Sequence, residues 1–339
     1  MDPAVKVELG PWHRLKGDES DRLWRPRFEQ YLRNRSAWGE DEERTPTAQV
    51  AKAAVGWLEE QVRTQGRKDR LFLWVDFFDP HEPWDPPEPY RSMYDPNYRG
   101  QVIIDPVAGP VAAYMTEAEI RHTMALYAGE VSLVDRWAGV VLEATRALGL
   151  WDDTLVMHVA DHGEPFGEHG IIRKARPWNY EELVHIPWII RHPEGLGAGQ
   201  RIPALVQTVD LMPTLLDALG IRGPLTLPFL APTPTMFPQD MVINKRQVAL
   251  TGKSLLPLLR GEAEKVREAA VTAHHGRQWS LRTAEWSYLL PIDASGGPEL
   301  YDRRKDSGEH DNLAAREPDR ARAMELELRR FVDEVERGR

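Results

Sequence analysis

The 339 residues carry 42% hydrophobic and 28% charged side chains and a formal net charge of −10, the make-up of an ordinary globular chain long enough to bury a large core. The acidic balance leaves no basic stripe to neutralise phosphates, which argues against a nucleic-acid partner. The lack of cysteine excludes disulfides, and no apolar run reaches the roughly 18 residues that a membrane span requires.

Residues 1–44, rich in Trp, Arg and acids, predict an irregular lead-in with a short helix around Arg27–Arg33. MDPAVKVELGPWHRLKG has no apolar signal-peptide centre, so with Met1 as the true start the expected location is cytoplasmic. From Thr45-Pro46-Thr47, the apolar positions Val50, Ala53, Ala54, Trp57, Leu58 and Val62 recur at helical spacing. LFLWVDFF at 71–78 is the pattern of a strand buried on both faces of a parallel sheet. It ends at Asp79-Pro80-His81-Glu82-Pro83, where prolines force an extended loop. Residues 84–110, rich in Pro and Tyr, are expected to line or cover a cleft.

Thr116 to Glu119 is a capping box that opens a long helix ending at Gly149. A strand over 155–160 follows, so 71–78, the helix and 155–160 would make a right-handed crossover. Pro187–Arg191 reads as another short strand, and Asp210 as the cap of a helix over Leu211–Leu219 stopped by Gly220. The five prolines of 223–238 predict an inserted loop without regular structure. Runs at 269–273, 278–283, 286–291 and 298–301 predict a small antiparallel sheet, closed by an amphipathic helix over Glu317–Glu336. The expected fold class is therefore α/β, a mostly parallel sheet flanked by helices, with a small antiparallel sheet plus helix at the C-terminus. The expected domains are 1–44, 45–260 and 261–339.

The chain is organised around Thr154–Arg191. A β-prone run passes straight into Asp161-His162-Gly163-Glu164, which puts Asp161 and His162 at the carboxyl edge of a strand, where open α/β sheets hold ligands. Glycines then permit tight turns while Glu168, His169 and Lys174 arrive in quick succession. A carboxylate beside an imidazole can share one divalent ion. The bland alternatives are a helix cap and a surface histidine, and for Lys174 a solvated surface lysine.

The DHGE–GEHG–K arrangement, with Lys174 thirteen positions after Asp161, resembles the metal-and-substrate loop of the sulfatases, within the alkaline-phosphatase-like superfamily. DPHEPWDPP at 79–87, VDLMPTLLDALG at 209–220, GKSLLPLL at 252–259 and ELYD at 299–302 agree in order, so the resemblance covers roughly 45–335. It implies a metal-dependent hydrolase of sulfate esters, with phosphonate monoester or phosphodiester hydrolysis as the runner-up. Asp161 and His162 would be half of the ligand set of one divalent ion, Ca2+ first and Mn2+ or a similar ion second. Lys174 would hold an oxygen of the substrate anion. His81 would meet the bridging oxygen and help protonate the leaving group. His169 would orient the loop or touch substrate, and Asp79, Glu82, Glu164 and Glu168 would support or cap it. His274 and His275 are further candidate substrate contacts.

The sequence departs from the family pattern at its start. It has neither version of the C-x-P-x-R nucleophile motif and no first strand with an aspartate pair. That predicts a partial chain, with an apolar slot or edge left open beside 155–160. The expected partners are a small-molecule or glycan sulfate or phosphate ester, and either a separately encoded N-terminal half or a second copy of the chain. The competing function is a catalytically inactive subunit of a split enzyme.

Overall fold

The computed structural model describes residues 29–65, 71–112, 114–174, 179–221, 226–230, 243–247, 252–274, 277–292 and 296–337. In chain order its helices begin with α1 (29–36), α2 (Pro46–Gln65), α3 (Tyr90–Met93) and α4 (Glu117–Ala147). They continue with α5 (Glu181–Val184), α6 (Leu211–Ala218), α7 (Leu256–Leu259) and α8 (Pro318–Arg337). The strands are β1 (Gly109–Pro110), β2 (Val156–Val159), β3 (Ile171–Ile172), β4 (Trp188–Arg191), β5 (Thr226–Leu230), β6 (Ile243–Gln247), β7 (Ala270–His274), β8 (Gln278–Arg282), β9 (Trp286–Pro291) and β10 (Glu299–Asp302). The class is α/β. The chain divides into two compact units, Met1–Val156 with His162–Pro187, and Met157–Asp161 with Trp188–Arg339. Among the described residues no helix is long and apolar enough to cross a membrane.

The first unit is built on α4. Thr116 accepts the Glu119 amide while the Glu119 carboxylate takes the Thr116 amide at 2.7 Å, the reciprocal cap that the sequence announces. Ala48 and Ala51 of α2 bury against Leu133 and Trp137 of α4, together with Tyr90 of α3. Part of 84–110 packs as core: Trp84 and Ile103 are fully buried, in a cluster with Leu126, Phe166 and Ile172. Its aromatic and branched residues supply apolar area that the unit needs, while Asp105 of the same stretch pairs with Arg173 at 2.7 Å.

The 71–78 run departs from expectation more sharply. It belongs to no strand among the described residues, so the predicted crossover is not formed there. Phe77 packs on the α2–α4 cluster, but on the opposite face of the run Phe72 is 65%, Trp74 61% and Phe78 67% exposed. The partial alternation is that of a strand, but among the described residues the run has no ladder partner. The mostly parallel sheet is accordingly absent from the described residues, whose ladders hold two, four, two and two strands.

In the second unit β10, β9, β8 and β7 form an antiparallel meander, in that order, within a residue or so of the predicted runs. Its apolar face is closed by α8, where Ala321, Met324 and Leu328 meet Leu281, Tyr288, Leu290 and Leu300. β2 pairs with β4. Two further expectations change. Thr226–Leu230 is a strand paired with Ile243–Gln247: a two-stranded ribbon has only edges, where the donor that Pro228 lacks is tolerated. The remainder of 223–238 lies outside the described residues. Asp210 stands at the start of α6 but makes no side-chain cap. Its buried carboxylate instead accepts the amides of Gln207 and Lys253, each at 2.8 Å, and pairs with Arg267, because a charged partner outbids a helix N–H for a buried anion.

Candidate active site

Two loops of the first unit meet through aromatic packing. After the 71–78 run, the His81 amide closes a turn on the Phe78 carbonyl at 3.0 Å, and the Trp84 indole donates to the Pro80 carbonyl at 2.9 Å. Trp84 lies 5.0 Å, ring to ring, from Phe166, which belongs to the loop that follows His162. That contact brings the 79–84 turn against the 162–174 loop, in a core both segments share.

The 162–174 loop is fixed at both ends. The Gly163 amide donates to the Leu183 carbonyl at 2.7 Å, and a Cβ at Gly163 would sit 2.0 Å from the Glu182 carbonyl oxygen, so only glycine allows this approach. Glu168 accepts the Phe166 amide at 2.6 Å, the loop-capping role read from the sequence. At the far end Arg173 adopts φ 65, a left-handed conformation costly for a side-chain-bearing residue, of the kind that clusters at functional sites.

These constraints deliver Lys174 and His81 to one carboxylate, that of Glu82. Lys174 Nζ lies 2.9 Å from Glu82 Oε2, and His81 Nδ1 lies 3.5 Å from the same oxygen and 2.8 Å from the Glu82 carbonyl. The Arg173 guanidinium takes Glu82 Oε1, and also pairs with Asp105 at 2.7 Å and with the Pro106 carbonyl at 2.9 Å. Glu164 stands 4.0 Å from Lys174. Burial alone would raise the Glu82 carboxyl, but Arg173 and Lys174 outweigh it and hold it down at about 2. Asp105 goes the other way, pushed up to about 6 by burial and by the Glu82 charge, against the pull of the two cations.

His169 is oriented rather than exposed to the pocket: its Nδ1 lies 2.7 Å from Glu182 Oε1 and its ring stacks on Tyr180 at 3.7 Å and 6°. A small depression lies among Arg173, Lys174, Tyr180, Glu182 and Leu183. His162 has its Nδ1 2.7 Å from the Gly163 carbonyl. Asp161 falls in the second unit, just beyond β2. Among the described residues no group of three or more His, Asp or Glu side chains could hold a metal ion. The carboxylate and imidazole of Asp161 and His162 therefore fit a divalent cation by donor type but fall short of its usual ligand number. Asp79 accepts the Thr47 hydroxyl, and burial raises its carboxyl. His274 ends β7 in the second unit, and His275 lies outside the described residues. Arg173 and Asp105 are the members that sequence reasoning passes over. The basic pair Arg173-Lys174 is the one signal that points to them.

The comparisons with known proteins follow this geometry. Residues 13–221 match the family described as Sulfatase, and 167–336 match N-sulphoglucosamine sulphohydrolase, C-terminal. Arylsulfatase K of Bos taurus is 30% identical over 257 residues, covering 74% of this chain and 42% of the relative. Arylsulfatase K of Xenopus laevis is 28% identical over 270 residues, covering 74% and 46%. The chain thus spans less than half the length of these relatives. The phosphonate monoester hydrolase of Agrobacterium radiobacter shares the fold with TM-score 0.66 and 24% identity, covering 89% of this chain and 62% of that one. A structure solved in complex with its substrate D-glucosamine-2-N,6-O-disulfate gives TM-score 0.50 and 25% identity, covering 66% and 43%. With the family match extending over more than half of its residues, this chain belongs to the sulfatase family of the alkaline-phosphatase-like superfamily.

Proposed function

We propose that the chain supplies the anion-holding wall of a sulfuric ester hydrolase site. The observation that carries this reading is the convergence of Lys174 and His81, far apart in sequence, on the Glu82 carboxylate. Lys174, with Arg173 beside it, presents positive charge to a sulfate oxygen and offsets the charge that develops there during S–O cleavage. His81 stands within reach of the same position, where an imidazole can give a proton to the departing alkoxide or phenoxide. His169, held by Glu182 and stacked on Tyr180, keeps the loop that carries Lys174 in place. Asp161 and His162 would hold one side of a divalent ion, Ca2+ first and Mn2+ second. When bound, such an ion polarises the ester oxygens as a Lewis acid.

The names of the relatives support an aryl or glycan sulfate ester as the substrate class. The nucleophile and the other half of the metal cage would come from an N-terminal half, encoded in continuity or separately. Because the sequence carries no C-x-P-x-R segment, binding is the readout this chain can give. Titrated with 4-nitrophenyl sulfate, the 339-residue chain is expected to bind saturably, and Lys174→Ala to weaken binding about tenfold or more, the usual worth of a hydrogen bond to a charged group. Equal affinity in the two proteins would overturn the reading. Tighter binding of 4-nitrophenyl phosphate than of the sulfate would move the substrate class to phosphoryl esters.

A further inference from the structure

Glu82 has the wrong charge for its place. Its carboxylate, 5% exposed, sits on the two cations that a substrate anion would use, with Oε1 on Arg173 and Oε2 on Lys174. Asp105 and Glu164 also border this pair. An anion entering beside Glu82 would meet more carboxylates than cations, in a part-buried setting where like charges repel strongly. The cations are also incompletely used. Arg173 Nε is buried and has no hydrogen-bond partner among the described residues, so a two-oxygen carboxylate leaves a donor over. A tetrahedral anion with three terminal oxygens has one to offer it.

We propose that Glu82 is a built-in occupant of the anion site: its carboxylate stands in for the sulfate group, and a substrate must displace it from Lys174 before it is held. Glu82 then decides which anions the site accepts. A carboxylate ligand brings nothing that Glu82 does not already supply intramolecularly, whereas a sulfate monoester adds the third oxygen for Arg173. The displaced side chain has a place to go. Glu82 Oε2 already lies 3.5 Å from the His81 ring, so rotation away from Lys174 keeps its charge beside an imidazole rather than unpaired. No covalent step is involved. The cost of displacement appears as a weakened apparent affinity, in proportion to the fraction of molecules in which Glu82 has moved aside.

This inference rests on Lys174 being an anion-holding group, and the test separates the two ideas. Inorganic sulfate is titrated calorimetrically into the 339-residue chain, into Glu82→Gln and into Glu82→Gln with Lys174→Ala. The amide keeps the shape and removes the competing charge. The expected result is sulfate binding about tenfold or more tighter in Glu82→Gln than in the unaltered chain, with the gain lost in the double variant. If Glu82 merely orients Lys174, the sign reverses and Glu82→Gln binds sulfate more weakly, which overturns the occupant while leaving the lysine's role intact. Absence of sulfate binding in both the unaltered chain and Glu82→Gln overturns both. Should Glu82→Gln fail to fold, Glu82→Asp, shorter by one methylene and drawn back from Lys174, is expected to bind sulfate more tightly than the unaltered chain, and no gain there overturns the proposal equally.

Discussion

Two stretches with similar residue chemistry meet opposite fates in this molecule. WSYLLP of β9 is buried almost throughout, with β8 and β10 on its edges and α8 over its apolar face. LFLWVDFF at 71–78 is at least as apolar, yet among the described residues it joins no ladder and leaves Phe72, Trp74 and Phe78 in solvent. The difference lies in what stands next to each. β9 receives its partners from hairpins a few residues away, whereas a parallel-type strand depends on neighbours that come from distant segments. A strand's composition states what it needs, and its surroundings decide whether the need is met.

The comparison can be broken most easily on its closed side. Leu328 of α8 is fully buried against the sheet, so Leu328→Ala is expected to cost about 2–5 kcal/mol in urea unfolding. A cost below about 1 kcal/mol would mean that α8 does not close that face.

The first unit's site should show a smaller, pH-dependent effect. The Asp105 carboxyl is raised from its ordinary 3.8 to about 6. A raised folded value means that its contribution is fully present below pH 3.8 and is lost as pH rises through 6. Asp105→Asn is therefore expected to flatten the decline in stability between pH 4 and 6, by an amount on the order of 1–3 kcal/mol. Parallel stability–pH curves for the two proteins would contradict this.

The smallest effect belongs to the open side. Replacing Phe72, Trp74 and Phe78 together with serine should change unfolding free energy by less than about 0.5 kcal/mol, as for exposed positions, while reducing self-association measured by sedimentation. Hydrogen exchange sharpens the same contrast: amides of 286–290 should be protected to the level of global unfolding, and those of 72–76 should exchange fast. Protection of 72–76 in the 339-residue chain would show that the run is paired in solution.

Elements built from local signals were legible in the sequence. The reciprocal cap at Thr116 and Glu119, the four runs of the antiparallel sheet and the stop at Gly220 each depend on residues a few positions apart. The 71–78 run reads as a strand buried on both faces, yet it belongs to no strand among the described residues, because composition alone does not say whether a partner from a distant segment is present. Thr226–Leu230 was missed because proline was read as forbidding a strand, when it forbids only a central one. In the site, the resemblance carried by DHGE–GEHG–K and by DPHEP pointed to Lys174 and His81. The Glu82–Arg173 pair was not legible, since its members lie 91 residues apart and tertiary packing, the Trp84–Phe166 contact among it, brings their loops together. Asp210 shows the same limit, for its choice of Arg267 over a helix end depends on a neighbour 57 residues away.

The close approach at Gly163 has a practical corollary for watching this site at work. With no room for even a methyl group between that residue and the Glu182 carbonyl, the loop's first residue and the start of α5 must travel together. A spin or fluorine label at the exposed His185, which directly follows α5, would therefore report displacements of the loop's root without touching the pocket itself.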